Sequence, residues 1–208
     1  YRQDENSPNA LVSYYAKGAL IALALDLTLR GRTAGRASLD DLMRELWKRH
    51  GATGRGVGKG DIPRLAEEIS GLRLKPMFAA WVHGTGDLPL AGLLKALGVQ
   101  LQREAGGALP DLGARTVADG ADLKLAAVFD GGPAQAAGLS AQDLLVAIDG
   151  LRVIRDNLDK LLGRYRGGDV VEIHAFRRDE LMRFRVRLAD PPRDCVRLEI
   201  AKKAPKRA

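Results

Sequence analysis

Cysteine and histidine are scarce in this chain of 208 residues, and their scarcity excludes several kinds of site. Cys195 is the only cysteine, so the sequence allows neither an internal disulfide nor a cluster of thiolate metal ligands. The three histidines, His50, His83 and His174, include no pair four residues apart, which excludes the His-Glu-x-x-His zinc motif from this chain. We interpret all three as surface or loop side chains, and we expect this chain to bind no metal by itself.

No apolar run is long enough to predict a membrane span. The most apolar stretch extends from Ala19 to Leu29, follows Lys17 and contains Asp26, whereas a span needs roughly 20 apolar residues. The chain has neither an initiator methionine nor a charged leader with a cleavage site. We therefore expect Tyr1 to lie inside a longer polypeptide, and the sequence leaves its compartment, bacterial cytoplasm or periplasm, open.

Positive charge is concentrated near the C-terminal end of the chain. Residues 191–208 hold six basic and two acidic side chains, so this stretch contributes +4 to the chain's net charge of +7. We interpret this stretch as a solvated basic tail, and we expect no nucleic-acid partner. The alternative, nucleic-acid binding through the tail, requires that deletion of residues 191–208 abolishes that binding.

The first half of the chain predicts four helices. Ser7 is a capping residue before Pro8, and the helix that follows is apolar around its circumference, which indicates burial among other helices. Ser38 and Asp41 form an acidic variant of the capping box for the second helix, whose predicted core residues are Leu39, Leu42, Met43 and Leu46. The predicted ranges are Ser7–Arg30, Ser38–Gly51, Asp61–Gly71 and Pro76–Gly84.

The second half carries turn and strand signals in a particular order. Residues 131–139 read Gly-Gly-Pro-Ala-Gln-Ala-Ala-Gly-Leu, in which Pro133 suits the first turn of a short helix and Gly138 can take the left-handed conformation that ends it. Residues 143–148 predict a buried strand, and Asp149-Gly150 predicts a tight turn after it. This pattern resembles the PDZ domain, in the arrangement common in bacterial proteases.

The PDZ resemblance implies a peptide-binding groove. In PDZ domains a loop with a Leu-Gly pair holds the C-terminal carboxylate of a peptide through backbone N–H groups, and the peptide adds a strand beside it. The added strand would lie along Gly113–Val117, and a helix over the groove is predicted at Asn157–Arg166. The implied peptide-binding residues are Leu112, Gly113, Ala114 and Arg115 in the loop, and Leu158, Leu161 and Leu162, which the helix offers to the groove or to the core.

Two departures from the PDZ pattern bear on the ligand. Asp111 stands before the loop where the family commonly has an aromatic residue, and its charge would oppose a carboxylate. The predicted helix also begins without the histidine that many PDZ domains use for Ser- or Thr-bearing ligands, so we expect a hydrophobic C-terminal residue if a C-terminus binds. The alternative is a PDZ-like domain that only packs on a catalytic domain.

A second motif lies in the first predicted helix, where residues 14–19 read Tyr-Tyr-Ala-Lys-Gly-Ala. Gly18 costs a helix about 1 kcal/mol relative to alanine, and its lack of a side chain allows close approach of another backbone or a ligand. The Tyr-x-Lys-Gly run resembles the segment that carries the catalytic tyrosine in zinc aminopeptidases of the aminopeptidase N clan. A PDZ-like module after it points to the glycyl aminopeptidase family, and the resemblance extends from about Asn9 to Leu188.

This resemblance implies a role for Tyr15. In the family, the matching hydroxyl donates a hydrogen bond to the oxyanion formed when water attacks the peptide carbonyl, and a neutral, rigid phenol suits that task. Tyr14 is the alternative donor, and both tyrosines could instead be packed in a helical core. The resemblance also implies zinc in the full-length enzyme, held by ligands upstream of Tyr1, so that this chain alone would be inactive.

Together these observations predict an α+β fold. We expect a helical part of a metallopeptidase catalytic domain at 1–95, a PDZ-like β-sandwich or partly open barrel with two helices at 96–190, and a basic tail at 191–208. The expected partners are peptide substrates, the upstream catalytic region and peptide or protein C-termini, and the apolar first helix would favour self-association. The alternative function is a non-catalytic peptide-binding or scaffold protein.

Overall fold

The computed structural model describes residues 3–11 and 13–201, which divide into two compact units. One unit, called here the sheet unit, contains the described residues 3–11 and 103–196; the other, the helical unit, contains 13–102 and 197–201. The helices are α1 (Ser7–Ala10), α2 (Tyr14–Arg32), α3 (Leu39–Leu46), α4 (Asp61–Ser70), α5 (Lys75–Phe78), α6 (Leu90–Ala96), α7 (Pro133–Ala136) and α8 (Leu158–Leu162). π-helical turns at Trp47–Gly51 and Ala79–His83 extend α3 and α5.

Two of the predicted helices begin and end where their local chemistry indicates. Ser38 accepts a hydrogen bond from the Asp41 N–H at the start of α3, as the capping box requires. Gly71 ends α4 in the left-handed conformation, with a φ of 70°, which glycine adopts without steric cost. The core of this unit consists of Leu25, Leu29, Leu42, Leu65, Ala66 and Leu74. Met43, which we predicted to belong to this core, is instead exposed.

The predicted first helix is not continuous. α1 ends at Ala10, and the backbone of the following Leu11 is extended; α2 starts after Ser13, which accepts a hydrogen bond from the Ala16 N–H at 3.3 Å. The prediction of one helix from Ser7 was wrong because Ser13 provides a second cap inside the apolar stretch. The prediction that this helix is buried all round was also wrong, since only four residues of α2 are buried: Ala24, Leu25, Thr28 and Leu29.

The segment Ser7–Arg32 is long and apolar enough to cross a membrane by length and composition alone, with a mean hydropathy of 1.4 over its most apolar part, of which 12% is buried within the protein. Core helices of soluble proteins and N-terminal signal segments share this length and composition. The segment is interrupted between α1 and α2 in this structure.

The sheet unit is built on one antiparallel sheet. Its strands are β2 (Ala114–Asp119), β3 (Asp122–Val128), β4 (Leu144–Ile148), β5 (Leu151–Arg152), β6 (Val170–Arg177) and β7 (Glu180–Arg187). They lie in the order β2-β3-β4-β6-β7, and β5 pairs with β4. Among the described residues the sheet is not closed into a barrel, because β2 and β7 are its two edges. The predicted α+β class is confirmed.

The buried faces of the strands and the short helices α7 and α8 enclose the core of this unit. Leu125, Leu145, Ile148, Ile173 and Val186 form its centre, each at most 1% exposed. The predicted Asp149-Gly150 turn is present, and both residues have positive φ. The helix predicted at Asn157–Arg166 is shorter than expected, since α8 comprises only Leu158–Leu162.

A further pair of strands lies outside this sheet. β1 (Val99–Glu104) pairs with β8 (Cys195–Ile200) in a two-stranded sheet. Part of the stretch that we interpreted as a solvated tail is therefore a strand, although its side chains are exposed. Residues 202–208 lie outside the described residues. The domain boundaries at 95 and 190 remain predictions.

Candidate functional site

Tyr14 and Tyr15 form the first turn of α2 and lie on its exposed surface. Their side chains are 73% and 74% exposed, so the interpretation that they are packed in a helical core was wrong. The ring centroids are 4.2 Å apart and the ring planes are tilted by 31°. A hydrogen bond with the Tyr15 side chain, and to a smaller extent burial, raises the pKa of Tyr14. Both hydroxyls are thus at the surface of the helical unit.

Lys17 connects this turn to a second helical end. Its Nζ donates a hydrogen bond to the carbonyl oxygen of Gly84 at 3.2 Å, and Gly84 follows the π-helical turn Ala79–His83. A Cβ atom at Gly84 would collide with the carbonyl oxygen of Ala80, which explains glycine at that position. No described atom outside the helix backbone lies within 4 Å of a Cβ placed on Gly18. The lysine of the motif therefore orients the start of α2, and Gly18 leaves its surface open.

The histidines do not form a metal site. No group of three or more His, Cys, Asp and Glu side chains among residues 3–11 and 13–201 could hold a metal ion. His50 is buried rather than at the surface, which corrects our interpretation, and its Nδ1 lies 3.0 Å from the carbonyl oxygen of Gly56. His50 Nε2 also lies 3.7 Å from the Asp61 carboxylate. This histidine therefore joins the glycine-rich loop at residues 51–60 to the start of α4, which is a structural role.

The loop that the PDZ resemblance singled out is tightly held. Leu112 and Gly113 are buried, and Gly113 has a φ of 71°. The carbonyl oxygen of Leu112 accepts a hydrogen bond from the Ala134 N–H, and that of Gly113 accepts one from the Phe129 N–H, both at 2.9 Å. The Gly113 N–H donates to the Asp111 carboxylate at 2.8 Å. The loop that the resemblance assigns to a ligand carboxylate therefore already binds a carboxylate of the chain itself, that of Asp111.

The predicted groove residues have different surroundings. Leu112, Leu161 and Leu162 belong to the buried core, and Leu158 is partly buried against it, so these leucines support the fold. Arg115 is exposed, with its guanidinium carbon 5.8 Å from the centre of the Phe129 ring. Ala114 opens β2, which pairs only with β3 among the described strands. The structure therefore offers a strand edge next to the loop.

Two polar networks of the sheet unit were not predicted. The buried Asp143 carboxylate accepts two hydrogen bonds from Arg177, beside a cleft of about 500 Å³ that includes Ser140, Gln142 and Glu180. The side-chain amide of Asn9 donates to the Val128 carbonyl oxygen at 2.8 Å and accepts from the Asp130 N–H at 3.1 Å. Their partners lie 34 to 121 residues away in sequence, so no local pattern indicates them.

Comparison with known proteins identifies one extensive match. An aminopeptidase N family protein from Idiomarina loihiensis is 34% identical, and the match covers 96% of this chain and 36% of that chain with a TM-score of 0.88. No protein-family model matches the chain. A search of the curated proteins also returns no match.

Other solved structures are similar over less of the chain. The HtrA-type protease AlgW with a decapeptide is 20% identical over 41% of this chain and 30% of that chain, with a TM-score of 0.39. The HtrA3 PDZ domain bound to a phage-derived ligand is 13% identical over 49% of this chain and 92% of that chain, with a TM-score of 0.34. The chain spans only about a third of the length of the Idiomarina loihiensis protein. That longer match nevertheless confirms the predicted resemblance of nearly the whole chain to the aminopeptidase N family.

Proposed function

We propose that this chain is a region of a zinc-dependent aminopeptidase in which Tyr15 stabilises the transition state. The observation that carries the proposal is the match over 96% of the chain to an aminopeptidase N family protein at 34% identity. The exposed apolar side chains of α2, such as Leu20 and Leu23, fit the proposal because the remainder of a longer protein would cover them.

Three features of Tyr15 support this role. Its hydroxyl is at the surface, where a substrate can reach it. The first turn of α2 fixes its backbone through the Ser13 cap and the hydrogen bond from Lys17 to Gly84. The Tyr15 phenol is both a donor and an acceptor, so it can donate its O–H to a developing oxyanion.

The chemistry proposed for Tyr15 is hydrogen-bond donation without transfer of its proton. Attack on a peptide carbonyl places negative charge on the carbonyl oxygen, and a donor already aimed at that oxygen stabilises the charged state more than the ground state. A phenol is neutral near pH 7 and has few rotatable bonds. It therefore loses little conformational freedom when it binds the oxyanion.

The described residues of this chain do not themselves fit a zinc ion, since they form no cluster of metal-ligating side chains. The proposal therefore requires a His-Glu-x-x-His motif and a downstream glutamate elsewhere in the same polypeptide. It also requires that the isolated chain does not hydrolyse peptides. A preference for substrates with a small N-terminal residue, glycine or alanine, is part of the proposal through the glycyl aminopeptidase resemblance.

The test is Tyr15→Phe in the complete enzyme. We expect kcat to fall about 10²–10³-fold, as on removal of other oxyanion donors, while the zinc content and the binding of substrate stay unchanged. Tyr14→Phe is the matched control, because it removes a hydroxyl from the adjacent residue and should leave kcat close to that of the wild type. Near-normal turnover of Tyr15→Phe with full zinc content would refute the assigned role, and a larger loss in Tyr14→Phe would transfer the role to Tyr14.

A second function, peptide binding by the sheet unit, is favoured by the edge of β2. This strand pairs with β3 on one side and with no other strand of residues 3–11 and 13–201. An extended peptide can add to such an edge through main-chain hydrogen bonds. This function could accompany the aminopeptidase activity, or it could be the sole activity of a non-catalytic protein if the zinc motif is absent from the polypeptide.

A further inference from the structure

We propose that Asp111 acts as an internal substitute for a ligand carboxylate, so that the edge of β2 accepts extended peptide segments without a free C-terminus. This inference rests on the peptide-binding function proposed above and names the class of ligand. It replaces the expectation that the groove binds peptide C-termini. The ligand is an internal segment of a peptide or protein, whose main chain is neutral where it passes the loop.

The first observation is the hydrogen bond inside the loop. The Gly113 N–H, the central donor of the Leu-Gly pair, lies 2.8 Å from Oδ1 of Asp111. A backbone N–H supplies one donor, so a ligand carboxylate would have to displace the Asp111 carboxylate to use it. An incoming carboxylate would exchange one charge-assisted hydrogen bond for another and gain little.

The second observation is that the loop cannot easily turn this donor toward a ligand. The backbone N–H and carbonyl groups of Asp111 are both hydrogen-bonded to Ala189 at 2.9 Å. On the other side, the carbonyl oxygens of Leu112 and Gly113 accept bonds from Ala134 and Phe129. Reorienting the Gly113 N–H would break several of these bonds, so the contact with Asp111 is built into the fold.

The third observation is the charge itself. Asp111 is half-buried, and a second carboxylate at the same donor would meet like charge where solvent screens it only partly. The guanidinium of Arg115 lies over the Phe129 ring, with its central carbon 5.8 Å from the ring centre. A neutral amide is attracted to Asp111 instead of repelled, because its N–H can donate a hydrogen bond to the carboxylate.

The test compares two forms of the same peptides. An array of fluorescent hexapeptides ending in apolar residues is synthesised with a C-terminal carboxylate or a C-terminal carboxamide, and binding to the 208-residue chain is measured by fluorescence anisotropy. We expect the carboxamide forms to bind the wild type at least about tenfold more tightly, because like charges that meet at an interface oppose binding. In Asp111→Ala this preference should disappear or reverse, since both the charge and the competing acceptor are lost.

Two further variants separate charge from structure. Asp111→Asn keeps an oxygen acceptor for the Gly113 N–H and removes the charge, so its preference for the carboxamide should lie between those of the wild type and Asp111→Ala. Asp156→Ala removes an equally negative but exposed side chain and should leave the preference unchanged. Circular dichroism of each variant verifies that it is folded.

The outcomes distinguish the two proposals. Tighter binding of carboxylate peptides to the wild type, or a preference that is the same in Asp111→Ala, overturns the inference and leaves peptide binding intact. If neither peptide form binds the wild type or any variant, the peptide-binding function fails, and the inference fails with it.

Discussion

Asp143, which is buried, and Arg177, which is partly exposed, form an ion pair that joins two distant parts of the sheet unit. Arg177 Nε and Nη2 donate to the two carboxylate oxygens of Asp143 at 2.8 and 2.7 Å, and Nη2 also donates to the carbonyl oxygen of Gly138. The Asp143 side chain is 1% exposed, and the Ser140 N–H donates to it as well. The end of β6 is thereby fixed to the segment between α7 and β4.

Replacement of Arg177 should therefore lower the free energy of unfolding. In Arg177→Met the buried Asp143 carboxylate loses both hydrogen bonds from Arg177 and keeps the one from the Ser140 N–H. Removing one partner of such a pair typically lowers the free energy of unfolding by about 3 kcal/mol. Urea denaturation measures the loss. Arg185→Met, at an exposed position of β7, is the control and should cost less than about 0.5 kcal/mol. Equal effects in the two variants would mean that the pair contributes no net stability.

Local signals in the sequence predicted those parts of the fold that depend on neighbouring residues. The Ser38 cap, the left-handed Gly71 and the Asp149-Gly150 turn each need only a few consecutive residues, and each is present. Gly138 likewise has the left-handed conformation, with a φ of 87°. Such features are readable because the side chain or its absence acts on its own backbone.

Features that join distant residues were not predictable in this way. Nothing in the sequence near Asp143 indicates Arg177, and nothing near β1 indicates that a strand of the basic C-terminal stretch pairs with it. The Asp111 charge was noticed in the sequence, but only the structure shows that its carboxylate accepts the Gly113 N–H. Tertiary packing decides these contacts, and a single sequence read by itself carries no signal of them.

Gly113 should tolerate no side chain, for two separate reasons. Its φ of 71° disfavours other residues, and a Cβ would lie 2.6 Å from Cδ of Pro133 and 2.9 Å from its backbone nitrogen. Gly120 has a similar φ of 64° but open space around its Cβ position. We expect Gly120→Ala to cost about 1–2 kcal/mol of unfolding free energy for the backbone alone, and Gly113→Ala to cost about 1–3 kcal/mol more for the overlap.

Thermal and urea unfolding of both glycine variants would measure this difference. A Gly113→Ala variant no less stable than Gly120→Ala would indicate that the loop shifts to make room. In that case the restraint on the Asp111 contact would be weaker than the hydrogen bonds around the loop imply.

Glu67 should make the stability of the helical unit depend on pH. Its Oε1 accepts hydrogen bonds from the backbone N–H groups of Leu74 at 2.6 Å and Lys75 at 2.9 Å, and these bonds hold the pKa of Glu67 below its ordinary value of 4.5. A carboxylate whose pKa is lowered on folding stabilises the folded state above its unfolded pKa, and this stabilisation is lost as the pH falls through the folded pKa.

The wild type should therefore lose stability as the pH is lowered from about 5 toward 3, and Glu67→Gln should lose less over the same range. The glutamine keeps an oxygen acceptor for the two N–H groups but has no proton to gain. Urea midpoints, followed by circular dichroism at several pH values in this range, give the slope of stability against pH for the wild type and for Glu67→Gln. Glu180→Gln, which changes an exposed glutamate at the start of β7, controls for the loss of one negative charge. If the slope of Glu67→Gln equals that of the wild type while Glu180→Gln is also unchanged, the bonds from Leu74 and Lys75 do not depend on the charge of Glu67.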